Sequence, residues 1–404
     1  MQVSFIHCAD LHLDSPLVGL SSLPKSLHKR LQESTFIAFK KIVDTAIKRK
    51  VDFIIIAGDI YDGEDRSIRA QIRFREEMLR LKDNNIEVFL VHGNHDHLNG
   101  NWVHINLPDN VHTFPSAVSV KKFTKQQTTV NLYGFSYETR HINERRIDFY
   151  EKKEEADFHI GILHGNLEGS LEHQAYAPFK IRDLLAKKMD YWALGHIHKR
   201  AVLHEEPPII YPGNIQGRHK KETEVKGCYY VELNGDSSQL EFIPSSEIVW
   251  KTISMDAKNV KTFDELYVLC QKELFQARQD GLSLIVSLEL KDLMIEDTFS
   301  ENELLEILQQ AEEEVEADSF VWVREIKIRE NVEWLKTNLI NESTFYEELF
   351  SATESDEQVE KALAPVYQHP QAHRFLQGLS AIEKQELANE AEALLINMLV
   401  KKWR

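Results

Sequence analysis

Residues 1–244 of this 404-residue chain are predicted to form an α/β fold, on two observations. Short apolar runs of strand length alternate with stretches of helical period, and polar residues able to hold metals gather where those runs end. The first run, Val3–Ala9, leads into Asp10-Leu11-His12. Residues 26–50 then read as a helix, from the spacing of Leu27, Leu31, Phe36, Phe39, Val43 and Ile47. Val51–Ala57 is the second strand and runs into Gly58-Asp59-Ile60-Tyr61-Asp62. A helix over 66–82 follows, carried by Ile72, Met78 and Leu79. Ile86–Val91 leads into His92-Gly93-Asn94-His95-Asp96, Phe158–Leu163 into His164-Gly165-Asn166, and Tyr191–Leu194 into Gly195-His196-Ile197-His198. Val130–Phe135 and Gly227–Leu233 add strands, the latter closed by an Asn234-Gly235 turn. Open α/β sheets place their sites on the loops leaving the strands' C-terminal ends, where these five polar segments are expected.

Two further regions follow. Residues 245–330 read strand, helix, strand, helix, strand (248–254, 263–279, 282–290, 301–316, 320–328), a compact α+β unit large enough for a small core. Residues 331–404 read as helical, with a boundary suggested at Ala364-Pro365 and His369-Pro370. The last segment places Ile382, Leu387, Ala391, Leu394, Leu395 and Met398 on one face. Such a stripe either packs on its own domain or meets a partner.

Composition narrows the class. Length alone suggests two or three domains. The opening residues lack a basic-plus-apolar signal pattern and no 18-residue apolar run occurs, so a cytoplasmic location and no membrane span are expected. Three scattered cysteines exclude a disulfide framework and a Cys-rich zinc site, and Cys8 reads as a small core residue. Of the formal net charge of −17, residues 245–404 carry −16, with 16 Lys+Arg against 32 Asp+Glu. The first 244 residues are near balance and hold 16 of the 18 histidines. Bound divalent cations would make that part positive near its active face, whereas the acidic remainder suits solvent or a protein partner better than phosphate. No P-loop pattern occurs, so any ATP dependence has to come from another chain.

The five segments offer Asp carboxylates, an Asn carbonyl and His imidazoles, the mixed oxygen and nitrogen set that holds a pair of divalent transition metals. His196 and His198, two apart on an extended segment, point to the same face. Glycines 58, 93 and 195 allow sharp turns beside the ions. In their order along the chain, these motifs resemble the calcineurin-like metallophosphoesterase superfamily, over roughly Met1 to Gly217. The Asp10–Pro16 opening, the Tyr211-Pro212-Gly213-Asn214-Ile215-Gln216 stretch and the C-terminal extension resemble its SbcD-type DNA repair exonuclease branch.

That resemblance implies two β-sheets packed together with helices on both outer faces (α/β/β/α), then a capping domain that helps admit DNA, then helices that bind the coiled-coil root of an SMC-like ABC ATPase. An ordinary α+β domain is the alternative to the cap. The resemblance also implies a homodimer built on helices near the N-terminus. Asp10, His12, Asp59 and His198 would hold one metal, and Asp59, Asn94, His164 and His196 the other, with Asp59 bridging. Ligand type favours Mn²⁺, with Fe²⁺ or Zn²⁺ as alternatives. Two ions about 3.5–4 Å apart trap a bridging hydroxide for in-line attack on phosphorus. His95 would be the general acid, and Asp62 would pair with it and favour the imidazolium. Several nucleases of the branch carry His where this chain has Asp62, which is a departure from their pattern. Asp96 either orients His95 in the same way or caps the following turn. Asp14 receives no role, and His7, His92 and His97 read as strand or turn histidines. Arg218, Lys220 and Lys221 are candidates for substrate phosphate, as are Lys199-Arg200 and Arg66, Arg69, Arg73 and Arg75, or these simply solvate the surface.

The reading is therefore a two-metal phosphodiesterase, chiefly a DNA repair nuclease. The alternative is a phosphatase or cyclic-nucleotide phosphodiesterase with the same ligands, and a non-catalytic scaffold is a minor third.

Overall fold

The computed structural model describes residues 1–15, 17, 20, 23–62, 67–100, 102–103, 105–153, 155–169, 176–235, 237–278, 281–295, 299–313, 315, 318–353, 356–367 and 381–401. Pro16, Arg66 and His369-Pro370 lie outside them, as does the side chain of Ile382. The chain divides into two compact units. One comprises Met1–Lys251, Arg278–Ile285 and Ala317–Val321, and the other holds Thr252–Ala277, Val286–Glu316 and Trp322–Arg404.

The first unit contains two six-stranded sheets. In the first sheet β1 (Gln2–Cys8), β2 (Phe53–Ala57), β3 (Glu87–Val91) and β4 (Val111–Thr113) run parallel. The antiparallel hairpin β11 (Gly227–Asn234) and β12 (Ser237–Pro244) joins at the β1 edge. The second sheet is built from β5 (Ser119–Lys125), β6 (Thr128–Gly134), β7 (Phe158–His164), β8 (Tyr191–Gly195), β10 (Ile209–Tyr211) and β9 (Ala201–His204), in that order, with β6, β7, β8 and β10 parallel.

Strand alternation sorts the apolar residues into three layers. Phe5, Phe53, Ile55 and Phe89 meet Leu132, Phe158, Ile160 and Tyr191 between the sheets. Ile6, Ile54, Ile56 and Leu90 point the other way, onto Phe36, Phe39 and Val43 of helix α1 (Lys25–Arg49) and Phe74 and Met78 of α2 (Ile68–Asp83). The outer face of the second sheet packs Leu163, Trp192 and Leu194 against Leu184 of the short helix α3 (Ile181–Ala186) and Ile147 of a 3₁₀ turn. The layering is α/β/β/α, as expected, with much the thicker helical cover on the first sheet. Helix α2 starts at Ile68 rather than 66 because the Ser67 hydroxyl accepts from Ala70 N and caps it.

A third sheet takes its strands in chain order: β13 (Ile248–Asp256), β14 (Ser283–Leu293) and β15 (Val321–Glu330), alternating with α4 (Phe263–Arg278) and α5 (Glu301–Glu313). The helical region holds α6 (Val332–Glu342), α7 (Thr344–Thr353), α8 (Asp356–Tyr367) and α9 (Ala381–Lys401). Its core is Leu335 and Leu339 of α6, Phe350 of α7 and Ile396 of α9. Helix α8 runs through Ala364-Pro365, where the sequence suggested a break. A proline so near the helix end removes one backbone hydrogen bond and does not stop the last turn. Among the described residues no helix is long and apolar enough to cross a membrane.

Candidate metal centre

Five strands end at one place. The loops after β1, β2 and β3 of the first sheet and after β7 and β8 of the second bring Asp10, His12, Asp59, Asn94, His164, His196 and His198 together. Donor atoms of Asp10, His12 and His198 all lie within 4.8 Å of one another, and so do those of Asp59, His164 and His196. Between the groups, Asp59 Oδ2 is 3.4 Å from His164 Nε2 and 3.8 Å from His12 Nε2. Asn94 Oδ1 stands 3.0 Å from His164 Nε2 and 3.1 Å from His196 Nδ1.

The backbone is bent to achieve this. Asp10, His12, Asp59 and His196 all have positive φ, at 52°, 42°, 51° and 97°. Residues other than glycine rarely adopt that region, and such strain gathers at functional sites. Cross-links hold it: Asp10 N donates to Gly58 O, His12 N to Asp59 O, and His196 N to the Asp10 carboxylate at 3.0 Å. Gly93 is required by close approach, since a Cβ there would lie 2.3 Å from Asp59 Oδ1 and 2.7 Å from His164 Nε2. Gly93→Ala is expected to displace both side chains and weaken Mn²⁺ binding by at least about tenfold, as read by calorimetric titration.

Hydrogen bonding tests whether cations fit. His198 Nδ1 lies 2.7 Å from Glu222 Oε1, and His12 Nδ1 lies 3.2 Å from Asp62 Oδ1. A carboxylate only accepts, so Glu222 puts the hydrogen of a neutral His198 on Nδ1 and leaves Nε2 as a lone pair; the Asp62 charge favours the same tautomer of His12, although that contact lies outside hydrogen-bond geometry. Those two lone pairs face one another at 3.1 Å. His164 repeats the pattern: Nδ1 donates to Ala57 O at 2.9 Å, which turns Nε2 towards the Asn94 and Asp59 oxygens. Acceptors aimed at acceptors repel unless a cation sits among them. Donors about 2.1 Å from an octahedral ion stand about 3.0 Å apart, close to the spacings here. The residues fit a pair of divalent ions.

The charges lean the same way. Burial raises the Asp10 pKa to about 6, against the pull of His164 and His198. Burial alone would lower His164, yet Asp59 and Asp10 override it and raise its pKa to about 9, so without a cation a proton on Nε2 takes the place among these oxygens that a cation would fill. Burial lowers His12 to about 3, with the Arg218 charge adding to it, which keeps the imidazole neutral for ligation.

Asp62 joins two histidines. Its Oδ1 lies 3.2 Å from His95 Nδ1 as well as from His12 Nδ1, and its Oδ2 takes Arg218 Nη1 at 3.0 Å and Ser15 Oγ at 2.7 Å. Burial opposes its ionisation, but the neighbouring His12 and His95 and the Arg218 charge hold it below the usual carboxylate range. For His95 the balance is similar: burial disfavours the imidazolium, and Asp62 and Asp59 outweigh it, raising the pKa.

Other side chains have contacts that the sequence left open. Asp96 serves the loops behind it, accepting from Ile60 N and Gly93 N and meeting His92 Nδ1 at 3.0 Å. His7 is a buried strand histidine between Tyr191 Oη and Leu194 O, and His97 rests against Trp102. Asp14 takes Ser67 Oγ and Arg69, and Arg69 and Arg73 both pair with Glu33, so these two arginines tie α2 to α1. Arg75 is exposed. Arg200 lies over the Phe242 ring at 3.9 Å. Arg218 is turned inward onto Asp62, as its pairing distance shows.

A cavity of about 540 Å³ opens on the centre, lined by Asp59, Asn94, His95, His196 and His198 on one side and by Lys199, His219, Lys221 and Lys226 on another. Lys220 is exposed and lies outside that lining. Glu222, Lys226 and Tyr176, whose ring stands 4.7 Å from that of His196, were not singled out from the sequence. The one local signal for Glu222 is its position in the polar stretch after the Pro212-Gly213-Asn214 turn.

Comparison with known proteins agrees with this geometry. The family model described as calcineurin-like phosphoesterase matches residues 3–200. The chain is 38% identical to the "Uncharacterized metallophosphoesterase YhaO" of Bacillus subtilis, over 98% of each protein. It is 24% identical to the "DNA double-strand break repair protein Mre11" of Sulfurisphaera tokodaii, over 74% of this chain and 79% of that one. The protein of the same name from Thermoplasma acidophilum is 28% identical over 54% of this chain and 58% of its own. With the strand-end clusters, layering and matches all in accord, the chain belongs to the calcineurin-like metallophosphoesterase family.

Proposed function

We propose that the protein is a two-metal phosphodiesterase acting on DNA as a repair nuclease beside an SMC-like ABC ATPase. The observation that carries the metal centre is the set of imidazole nitrogens and oxygens converging at 3.0–3.4 Å with a carboxylate between two groups. The DNA reading rests on the relatives named for double-strand break repair. A pair of divalent cations would supply Lewis-acid activation of water and of the phosphoryl oxygens, with Mn²⁺ the favoured ion.

The chain's own residues do the rest. Asp10, His12 and His198 would hold one ion, Asn94, His164 and His196 the other, and Asp59 both. Asp62 fixes His95 through Nδ1, which leaves Nε2–H to give its proton to the leaving oxygen. Lys199 and Lys221 on the cavity wall suit the flanking phosphates. Arg218 contributes by holding Asp62. The α+β unit would act as a cap, and the helices near the N-terminus as a dimer contact. Asp62 in place of the branch's histidine is the feature that favours the second reading, a phosphatase or cyclic-nucleotide phosphodiesterase.

Helix α9 bears on the partner. Leu387, Ala391, Leu394 and Met398 recur at i, i+4, i+7 and i+11, and all four are exposed. Ile396, on the opposite side, is the buried one. These four residues of the stripe legible in the sequence thus face outward, suited to a partner's coiled coil, while Leu395 of the same stripe packs half-buried against the helical core. Leu394→Glu with Met398→Glu is expected to abolish capture of an ABC ATPase partner in a pull-down while phosphodiester hydrolysis stays unchanged. Unaltered capture would remove α9 as the docking helix.

The test of the whole reading is Mn²⁺-dependent degradation of end-labelled duplex DNA, with Asp59→Asn alongside. Products from wild type alone support the nuclease. Hydrolysis of bis-p-nitrophenyl phosphate without DNA products favours the second reading.

A further inference from the structure

Glu222 carries no assignment so far, yet both its carboxylate oxygens are committed. We propose that Glu222 is a positioning residue of this centre, one that acts through His198 by fixing which imidazole nitrogen faces the cations. The inference rests on the two-cation reading above and deepens it.

Glu222 is buried, and its Oε1 lies 2.7 Å from His198 Nδ1. Its Oε2 accepts from Asn214 Nδ2 at 3.0 Å and from Arg218 N at 2.7 Å. Asn214 is itself oriented, donating also to Gln216 O at 2.8 Å. Lys226 Nζ donates to His198 O at 2.9 Å and holds the backbone of the same histidine. The loop after the Pro212-Gly213-Asn214 turn therefore fixes the carboxylate from one side, and the carboxylate fixes the imidazole from the other. An oxygen that only accepts imposes the Nδ1–H tautomer on His198, and its Nε2 lone pair then points at His12 Nε2, 3.1 Å away. Without that acceptor, the Nε2–H tautomer would aim a proton into the space a cation needs.

The pattern of donors makes Glu222→Gln a sharp test. Two N–H groups point at Oε2, so the amide oxygen of glutamine has to take that place. Its NH₂ then faces His198 Nδ1 and drives the ring to the Nε2–H tautomer. The side chain keeps its shape, so the fold should be retained.

Two readouts are needed. In metal-free protein, long-range ¹H–¹⁵N spectra of the imidazoles should show His198 change from Nδ1–H to Nε2–H. In calorimetric titration with Mn²⁺, one of the two sites should weaken by about 10–100-fold, the usual effect of losing an outer partner, while the other is unchanged. Hydrolysis of bis-p-nitrophenyl phosphate should recover at saturating Mn²⁺. Should Glu222→Gln fold poorly, Glu222→Asp keeps the charge and withdraws the oxygen, and should weaken the same site. An unchanged tautomer with two unchanged sites would overturn the role given to Glu222 and leave the cation centre intact. Wild-type protein that binds no Mn²⁺ would overturn the centre itself, and this role with it.

Discussion

Asp59→Asn is expected to abolish metal-dependent hydrolysis without unfolding the protein. Asp59 Oδ2 lies near histidines of both groups, at 3.4 Å from His164 Nε2 and 3.8 Å from His12 Nε2. Its Oδ1 accepts from His95 N at 2.9 Å, so one side chain sets the spacing of both ligand groups and the position of His95. Asparagine cannot satisfy these demands at once. With its oxygen towards the cations, its NH₂ meets the His95 N–H; reversed, the NH₂ faces the cations. The loss of activity should exceed the about 10–100-fold that outer partners cost. Stability should move differently. Burial opposes ionisation of Asp59, but His164, with His12 and His95, holds its pKa well below the usual carboxylate range, so the ionised carboxylate stabilises the folded state even when no cation is bound. Removing that charge should cost the metal-free protein some stability, read as a lower melting temperature, without unfolding it. Wild type should gain melting temperature with added Mn²⁺, because a ligand that binds only the folded state stabilises it, and Asp59→Asn should gain far less. A full Mn²⁺-dependent gain in the variant would remove Asp59 as the bridge.

His95→Gln should leave two cations bound and slow turnover of substrates with alkoxide leaving groups by about 10²–10⁴-fold, the range of a lost general acid. p-Nitrophenolate leaves without a proton, so hydrolysis of bis-p-nitrophenyl phosphate should change little. Equal loss on both substrates would make His95 a structural turn residue. The pH profile carries the sign. A general acid works protonated, so its contribution is present below its pKa and is lost as pH rises through it. Asp62 and Asp59 raise the His95 pKa against the effect of burial. Asp62→Asn removes one of those carboxylates and should move the alkaline fall in turnover to lower pH. Because Asp62 also touches His12 Nδ1, the same variant should weaken Mn²⁺ binding, which His95→Gln should not.

How much of this was legible in the sequence follows from what each feature depends on. The strands before Asp10, Asp59, Asn94, His164 and His196 are local runs, and each ends within a residue or two of its motif. Once those strands are given, side-chain alternation accounts for Ile6 and Ile54 on one side of the sheet and Phe5 and Phe53 on the other, a sorting that the structure supplied. The partners of Asp62 were less accessible. Its pairing with His95 came from resemblance, while those with His12, Ser15 and Arg218 join separate loops. Glu222 lies 24 residues from His198 in an irregular loop where no periodicity operates. On α9 the period marked an apolar face correctly but could not say which way it points. Ile396 is buried in the bundle, and Leu395 and Leu399 pack half-buried beside it. Charge misled in a similar manner: Arg69 and Arg73 read as phosphate candidates, and Glu33 on the neighbouring helix takes both.

The most direct measurement of the central claim is the electron paramagnetic resonance spectrum of wild-type protein loaded with two equivalents of Mn²⁺. Two ions sharing the Asp59 carboxylate should be spin-coupled and give the broad multiline signal of an exchange-coupled pair, which Asp59→Asn should lose. A simple six-line spectrum from magnetically isolated Mn²⁺ in wild type would contradict a bridged two-metal centre.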